Sequence, residues 1–427
     1  MTRAWTHWGT SLDYASLRLP THDAGTLLEG RSLGRALRGG EFVLDPFDAY
    51  RAGVVSNANV VVAGAIGTGK STLVKMMIDR ALERGRRVVV VDPKGEYQGL
   101  ALAHGVRPLV VGRDGWCWPR ALEERSDRDF AATVLASAKG STLSDDEHYV
   151  LDQTWTTLAS PRPTRVLAAL SSRLAPSLSD YASGAQRSLA LVLRRFIDGD
   201  LAGLFDGEGT PVSFDEPFVV LDVSRFSGTD EIAVAALSAV AAAQHLAASR
   251  EPGYLVLDEA WALLGDEATL RWLQASWKLA RARGIAHLLV LHRWSDAASV
   301  GSLGSAQRAR ARGLLRESET TWLFRQPPDE STEMAAVLGL SARETRCLTE
   351  LVRGRALVRY GAARSLVQLR PDERDVGFVD SDGAMRSTRA RRTTGPGATN
   401  LAGAAMGTSR LLGSRAFALG GRSDSVG

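Results

Sequence analysis

The run Gly64-Ala65-Ile66-Gly67-Thr68-Gly69-Lys70-Ser71-Thr72, entered directly from the apolar stretch Val60-Val61-Val62-Ala63, constrains this chain more than any other feature. A G-x-x-x-x-G-K-S spacing between a strand and a helix turns successive backbone N–H groups into one concavity, where the oxygens of a triphosphate are held. Lys70 then extends to the outer phosphates, and the Ser71 hydroxyl is placed to hold Mg²⁺. Both flanking elements are legible. A strand is expected over about Asn59 to Ala63. A helix follows from Lys70 to about Glu83, with Leu73, Met76, Met77 and Ala81 on one side and Gly85 as its stop.

Arg87 to Val91 is a continuous β-branched run of the kind buried on both faces of a parallel sheet. Leu109 to Val111, Phe218 to Leu221, Tyr254 to Leu257, Ala286 to Leu291 and Thr320 to Phe324 repeat the short apolar pattern, with helical stretches between them. This alternation predicts an α/β fold with a mostly parallel sheet. Between the strands at 111 and 218 the periodicity is helical, as in Leu189, Val192, Leu193, Phe196 and Ile197, so an all-helical insertion is expected over 121–210. Pro161 and Pro163 break it, and Thr164 reads as the cap of a new helix. Ala356 to Tyr360 and Ser365 to Leu369 read as a closing hairpin around Gly361. The expected organisation is an N-terminal segment (1–40), a discontinuous core (41–120 and 211–378), the insertion, and a disordered basic tail (379–427).

Composition narrows the classes. No uncharged apolar run of membrane-spanning length occurs, and the alanine-rich stretch Ile232 to Ala248, broken by Ser238 and Gln244, suits a helix packed on a sheet. Cys117 and Cys347 stand alone, which argues against a disulfide framework or a zinc site and for a reducing cytoplasm. The net charge of +4 resides in residues 380–427, with seven Arg against three Asp. Nucleic-acid binding therefore has to be argued from local patches, not bulk charge. Arg386, Arg389, Arg391 and Arg392 of the tail are either a solvated end or a contact for anionic lipid or DNA.

The second chemical signal is Tyr254-Leu255-Val256-Leu257-Asp258-Glu259, an apolar strand with two carboxylates at its C-terminal end, where open α/β sheets bind ligands. Beside a phosphate loop, Asp258 is expected in the Mg²⁺ shell and Glu259 on the water that attacks the γ-phosphate. Asp92-Pro93-Lys94-Gly95-Glu96 ends the strand after the phosphate-loop helix. Glu96 is therefore a candidate to sense the γ-phosphate or polarise water, against the plainer reading of a Pro/Gly turn. His292 follows the strand Ala286 to Leu291 and is either a reporter of γ-phosphate loss or a structural histidine. In a ring-forming ATPase Arg325 would reach a neighbour's γ-phosphate, with Arg355 and Arg359 as alternatives. Arg308, Arg312 and Arg316 share one helical face, solvated or phosphate-holding.

Ser56-Asn57-Ala58-Asn59 leading into the phosphate loop, the strand ending Asp-Pro-Lys-Gly-Glu-Tyr, and Asp258-Glu259-Ala260-Trp261 with Leu263-Leu264 behind it form a combined pattern. It resembles the FtsK/HerA class of P-loop ATPases, and within it the motor domain of conjugative type IV secretion ATPases, over about residues 40 to 375. The resemblance implies a RecA-like core, ATP with Mg²⁺, homo-hexameric rings, and a role in powering DNA or protein transport at the inner face of the cell membrane. Such proteins usually carry a long N-terminal domain or membrane helices, so membrane contact here is expected through secretion or conjugation partners. Where this chain has His292, family members often have Gln. A double-stranded DNA translocase and a nucleotide-gated assembly protein with little turnover are the alternative readings.

Overall fold

In the computed structural model the described residues are 29–37, 39–111, 124–158, 165–178, 183–202, 204–205, 216–226, 231–248, 251–260, 264, 267–292 and 306–379. Their strands are β1 (Gly34–Ala36), β2 (Glu41–Phe42), β3 (Val60–Ala63), β4 (Arg87–Asp92), β5 (Leu109–Val110) and β6 (Phe218–Asp222). Then come β7 (Gly253–Leu257), β8 (Ile285–Leu291), β9 (Thr320–Leu323), β10 (Arg355–Tyr360) and β11 (Ala363–Leu369). All join one sheet in the order β2-β1-β11-β10-β9-β3-β8-β7-β4-β6-β5. From β9 to β5 the pairings are parallel, and the β10–β11 hairpin, β1 and β2 extend the sheet antiparallel.

The apolar strand runs are buried on both faces because side chains alternate sides. Val60, Val62, Val88 and Val90 share one apolar cluster with Leu73, Met76 and Met77 of the phosphate-loop helix Lys70–Glu83. Val61, Ala63, Val89 and Val91 face the other cluster. That second face is covered by the helices Glu124–Lys139, Glu231–Ala248 and Glu267–Arg283. Burying Leu73, Met76 and Met77 against the sheet stabilises the phosphate-loop helix by roughly 1.5–3 kcal/mol per side chain.

Between β5 and β6 the described residues form helices only: Glu124–Lys139, Asp145–Thr156, Val166–Leu174, a 3₁₀ turn Ala175–Leu178, and Gly184–Ile197. Ser144 with Glu147 and Ser183 with Gln186 close capping boxes at two of them. These helices share the apolar cluster of the second sheet face, with Phe130, Leu151, Leu167, Leu193 and Phe196 inside it.

One boundary shifts, and two expectations fall outside the described residues. Gly34–Ala36 pairs with Leu369–Val367 of β11, so the sheet begins before the expected boundary at residue 41. Strands of two and three residues carry no periodic signal, which is why that edge is silent in the sequence. Thr164, Pro161 and Pro163 lie outside the described residues, and the helix Val166–Leu174 follows Arg165, whose side chain makes no cap. Apart from Val379, which ends the short helix Val376–Val379, the basic tail also lies outside them. Among the described residues no helix is long and apolar enough to cross a membrane.

Candidate functional site

Sheet order assembles the site. β3 and β7 flank β8, with Ala63 in register with Leu291 and Leu257 in register with Leu289. All three strands therefore end at one edge, and the phosphate loop and the Asp258-Glu259 pair face each other across about 10 Å, two inter-strand spacings. β4 lies on the far side of β7, which brings Asp92-Pro93-Lys94-Gly95-Glu96 to the same edge.

The loop Gly64–Thr72 has the open shape its glycines permit. Gly67 and Gly69 have φ of +75° and +114°, in the region that side chains with a Cβ rarely enter. A Cβ on Gly64 would lie 2.5 Å from that of Phe324, so close packing as well as loop shape requires glycine there. Thr68 Oγ1 donates to the Ala65 carbonyl across 2.7 Å, while Ile66 stands exposed at the tip. Ser71 and Thr72 occupy the first helical turn, half-buried. Lys70 is buried and folds back, its Nζ donating to the Gly64 and Ala65 carbonyls at 2.7 and 3.1 Å. Burial draws its pKa down to about 8 against the opposing fields of Asp258 and Glu259. Those fields at Lys70 are the electrostatic signature of one shared site.

Asp258 is buried, and burial together with the nearby charges of Glu259, Asp92 and Glu96 raises its pKa to about 6. It accepts a hydrogen bond from the Glu259 N–H at 3.0 Å. Glu259 itself has φ +53°, a left-handed conformation that costs a residue with a Cβ about 1 kcal/mol or more. Asp92 anchors the neighbouring turn by accepting from the N–H groups of Lys94, Glu96 and Tyr97 at 3.2, 3.2 and 2.9 Å. Burial raises its pKa, and those three bonds oppose the rise. Burial and the fields of Asp258 and Asp92 push the Tyr97 phenol well above its ordinary range.

The sequence-derived residues separate into groups. Lys70, Asp258, Glu259 and Glu96 share one field, since Glu96 is felt at both Lys70 and Asp258. His292 is in direct contact, its Nε2 donating to Glu259 Oε1. Lys94, to which the sequence assigned no role, binds the same Oε1 and lies 3.0 Å from His292 Nε2. A position at the end of β4 was the only available hint, because the β4–β7 adjacency is not written in the sequence. Arg325 is exposed at the end of β9, and its carbonyl accepts from Ala65 N–H at 2.9 Å, so it sits beside its own phosphate loop. Arg355 begins β10 at that edge. Arg359 is half-buried in register with Thr321, toward the other end of β10 from Arg355, and burial lowers its pKa to about 10. Arg312 is paired with Glu333 at 2.6 Å, and nothing is described of the Arg308 side chain.

Among the described residues no trio of His, Cys, Asp or Glu could enclose a metal ion by itself. Mg²⁺ does not need one. It binds through one or two protein oxygens and completes its shell with substrate phosphates and water, and the donor set of Ser71 and Asp258 fits that habit.

Residues 55–159 match the family described as "Helicase HerA, central domain". The probable conjugal transfer protein TrbE of Sinorhizobium fredii is 26% identical over 258 residues, which are 57% of this chain and 37% of that protein. The chain thus spans little more than a third of that relative. VirB4 of Thermoanaerobacter pseudethanolicus superposes with a TM-score of 0.70 at 20% identity, covering 82% of this chain and 100% of the other. The chain resembles conjugative transfer ATPases in sequence and in fold. The bacterial conjugative coupling protein TrwB superposes at 0.54 and 18% identity, over 84% and 94% of the two chains, and a second TrwB structure holds ADP and Mg²⁺. The fold is the RecA-like one of these P-loop ATPases, with a mostly parallel sheet.

Proposed function

We propose that the chain is a Mg²⁺-dependent ATPase motor of a conjugative transfer or type IV secretion system, working as a homo-hexameric ring to drive DNA or protein transport. The observation that carries this reading is the register of β3, β8 and β7, which ends the strands bearing the phosphate loop and the Asp258-Glu259 pair at one sheet edge. Residues Gly64 to Thr72 hold the phosphates, with Lys70 leaving the Gly64 and Ala65 carbonyls for the outer phosphate oxygens. Ser71 and Asp258 would hold Mg²⁺, which would supply charge neutralisation for the phosphoryl transfer. Glu259 takes the proton of the attacking water as its oxygen bonds the terminal phosphorus. The bond to the bridging oxygen breaks, and ADP leaves with that electron pair.

Glu96 tunes the acidic cluster electrostatically, His292 fixes Glu259, and Arg325 or Arg355 of a neighbouring subunit reaches the terminal phosphate. The names of the relatives support the conjugative setting. Residence in the cytoplasm, at the inner face of the membrane through secretion partners, belongs to the same reading.

Turnover measured with and without duplex DNA, together with mass by light scattering with and without ATP, tests it. The motor reading expects hydrolysis by an ATP-stabilised hexamer. Hydrolysis that depends on DNA and collapses with rising salt would favour a DNA translocase, and ATP-driven assembly without turnover would favour a switch protein.

A further inference from the structure

One oxygen of the Glu259 carboxylate, Oε1, is engaged twice over, on a side chain that is 8% exposed. Lys94 Nζ and His292 Nε2 both bind its Oε1, and the two nitrogens lie 3.0 Å apart. A glutamate so held cannot present that oxygen to an attacking water, so something must move before hydrolysis. Three features say that Lys94 moves. Its side chain is 43% exposed, whereas that of His292 is 22% exposed and follows a fully buried strand. Its backbone is fixed, because Asp92 holds the N–H groups of Lys94, Glu96 and Tyr97, so the four-carbon stem can swing from a rigid base. Its charge is also felt at Lys70, and its turn ends β4 at the same sheet edge as the phosphate loop.

We propose that Lys94 is the residue that distinguishes a triphosphate from a diphosphate: it masks Glu259 in the empty and ADP-bound site and transfers to the terminal phosphate when ATP binds. Lys94 exchanges one oxyanion for another, so no charge is left unpaired. Glu259 keeps its His292 contact and turns the oxygen that Lys94 leaves to water. The inference rests on the ATPase reading and adds to it the trigger that couples base release to the third phosphate.

Lys94→Met, Lys94→Arg, Glu259→Gln, Lys70→Ala and the double variant Lys94→Met/Glu259→Gln test this by calorimetric titration with ADP and a nonhydrolysable ATP analogue, each with Mg²⁺. The wild type is expected to prefer the analogue over ADP by about tenfold or more, as one charge-assisted contact supplies. In Lys94→Met that preference falls to within about threefold, and ADP binding weakens because the Glu259 charge, no longer offset by Lys94, repels the anion. Glu259→Gln in the double variant restores ADP affinity, which a merely structural role of Lys94 would not produce. Lys94→Arg keeps the preference. An unchanged preference in Lys94→Met, with binding still dependent on Lys70, overturns the role of Lys94 alone. Analogue binding that is absent, or indifferent to Lys70→Ala, overturns the ATPase reading beneath it.

Discussion

The Gly354 amide donates to the Thr68 carbonyl across 2.8 Å, tying the start of β10 directly to the phosphate loop. The Gly354 carbonyl in turn accepts from the Leu369 amide at 2.7 Å and from Gln368 Nε2 at 3.1 Å, so the loop leans on the antiparallel edge of the sheet. The edge strands are thus a brace for the phosphate cradle.

Substituting Gly69 attacks that brace. A Cβ there would sit 3.2 Å from the Gly354 Cα, on a backbone at φ +114° that disfavours any side chain. Gly69→Ala is expected to weaken nucleotide binding by about tenfold or more while costing about 1–2 kcal/mol of stability. Gly313→Ala, in the helix Ala306–Arg316 with open space around it, should instead stabilise by about 0.5–1 kcal/mol. Titration with a nucleotide analogue and urea unfolding of both variants provide the check.

Asp258 should show a conflict between stability and activity. Its pKa is raised to about 6 by burial and neighbouring carboxylates, so its contribution to stability is present below about pH 4 and is lost as pH rises through about 6. Asp258→Asn is therefore expected to stabilise the protein in EDTA at pH 7.5 by up to about 3 kcal/mol, with no gain at pH 4, while abolishing Mg²⁺-dependent turnover. Paired melts at the two pH values, beside a hydrolysis assay, measure both halves.

Behind the site, Arg80 of the phosphate-loop helix grips Asp375 with both guanidinium nitrogens, Nη2 to Oδ2 at 2.7 Å, and Nη2 also donates to the Ser32 carbonyl at 3.1 Å. The Asp375 side chain is fully buried and that of Arg80 is 4% exposed. Asp375→Ala removes the bidentate partner of a buried cation that then keeps only Asp79 at 3.2 Å and Asp372 at 3.8 Å, and is expected to cost about 3 kcal/mol. Replacing both partners, as Arg80→Met/Asp375→Leu, should cost clearly less, and a urea-unfolding double-mutant cycle separates the two cases.

His287 gives the fold an acid-sensitive joint. The buried ring stacks on Trp277, bonds Ser276 Oγ at 3.0 Å through Nε2, and approaches Asn59 Oδ1 at 3.2 Å through Nδ1. Burial lowers its pKa to about 3. The stability it lends is complete above about pH 6.5 and drains away as pH falls toward about 3, by at most about 1.4 kcal/mol per pH unit. The urea midpoint of His287→Gln should accordingly fall less between pH 6.5 and 5 than that of the wild type.

What the sequence revealed was local. The phosphate loop, its strand and helix, and Asp258-Glu259 at the end of β7 are short-range patterns with fixed spacing, and each lies where those patterns point. What it withheld depends on which strands become neighbours. Only the placing of β4 beside β7 brings Lys94 to Glu259, and only the placing of β8 beside β3 brings His287 to Asn59. Arg325 and Arg359 look alike as strand-associated arginines until the antiparallel turn of β10 puts Arg359 beside Thr321, toward the other end of the strand from Arg355. The pairing of β1 with β11 likewise rests on tertiary contact with no periodic trace in so short a strand.

The central claim is that the phosphate loop and the acidic pair hold one Mg²⁺-bound triphosphate and cleave it. Phosphate release and ATP-analogue binding measured together on wild type, Lys70→Ala and Glu259→Gln test this most directly. Wild type should bind and turn over, Glu259→Gln should bind with turnover reduced by about 100-fold or more, and Lys70→Ala should lose both. Turnover in Glu259→Gln equal to that of the wild type would contradict the account.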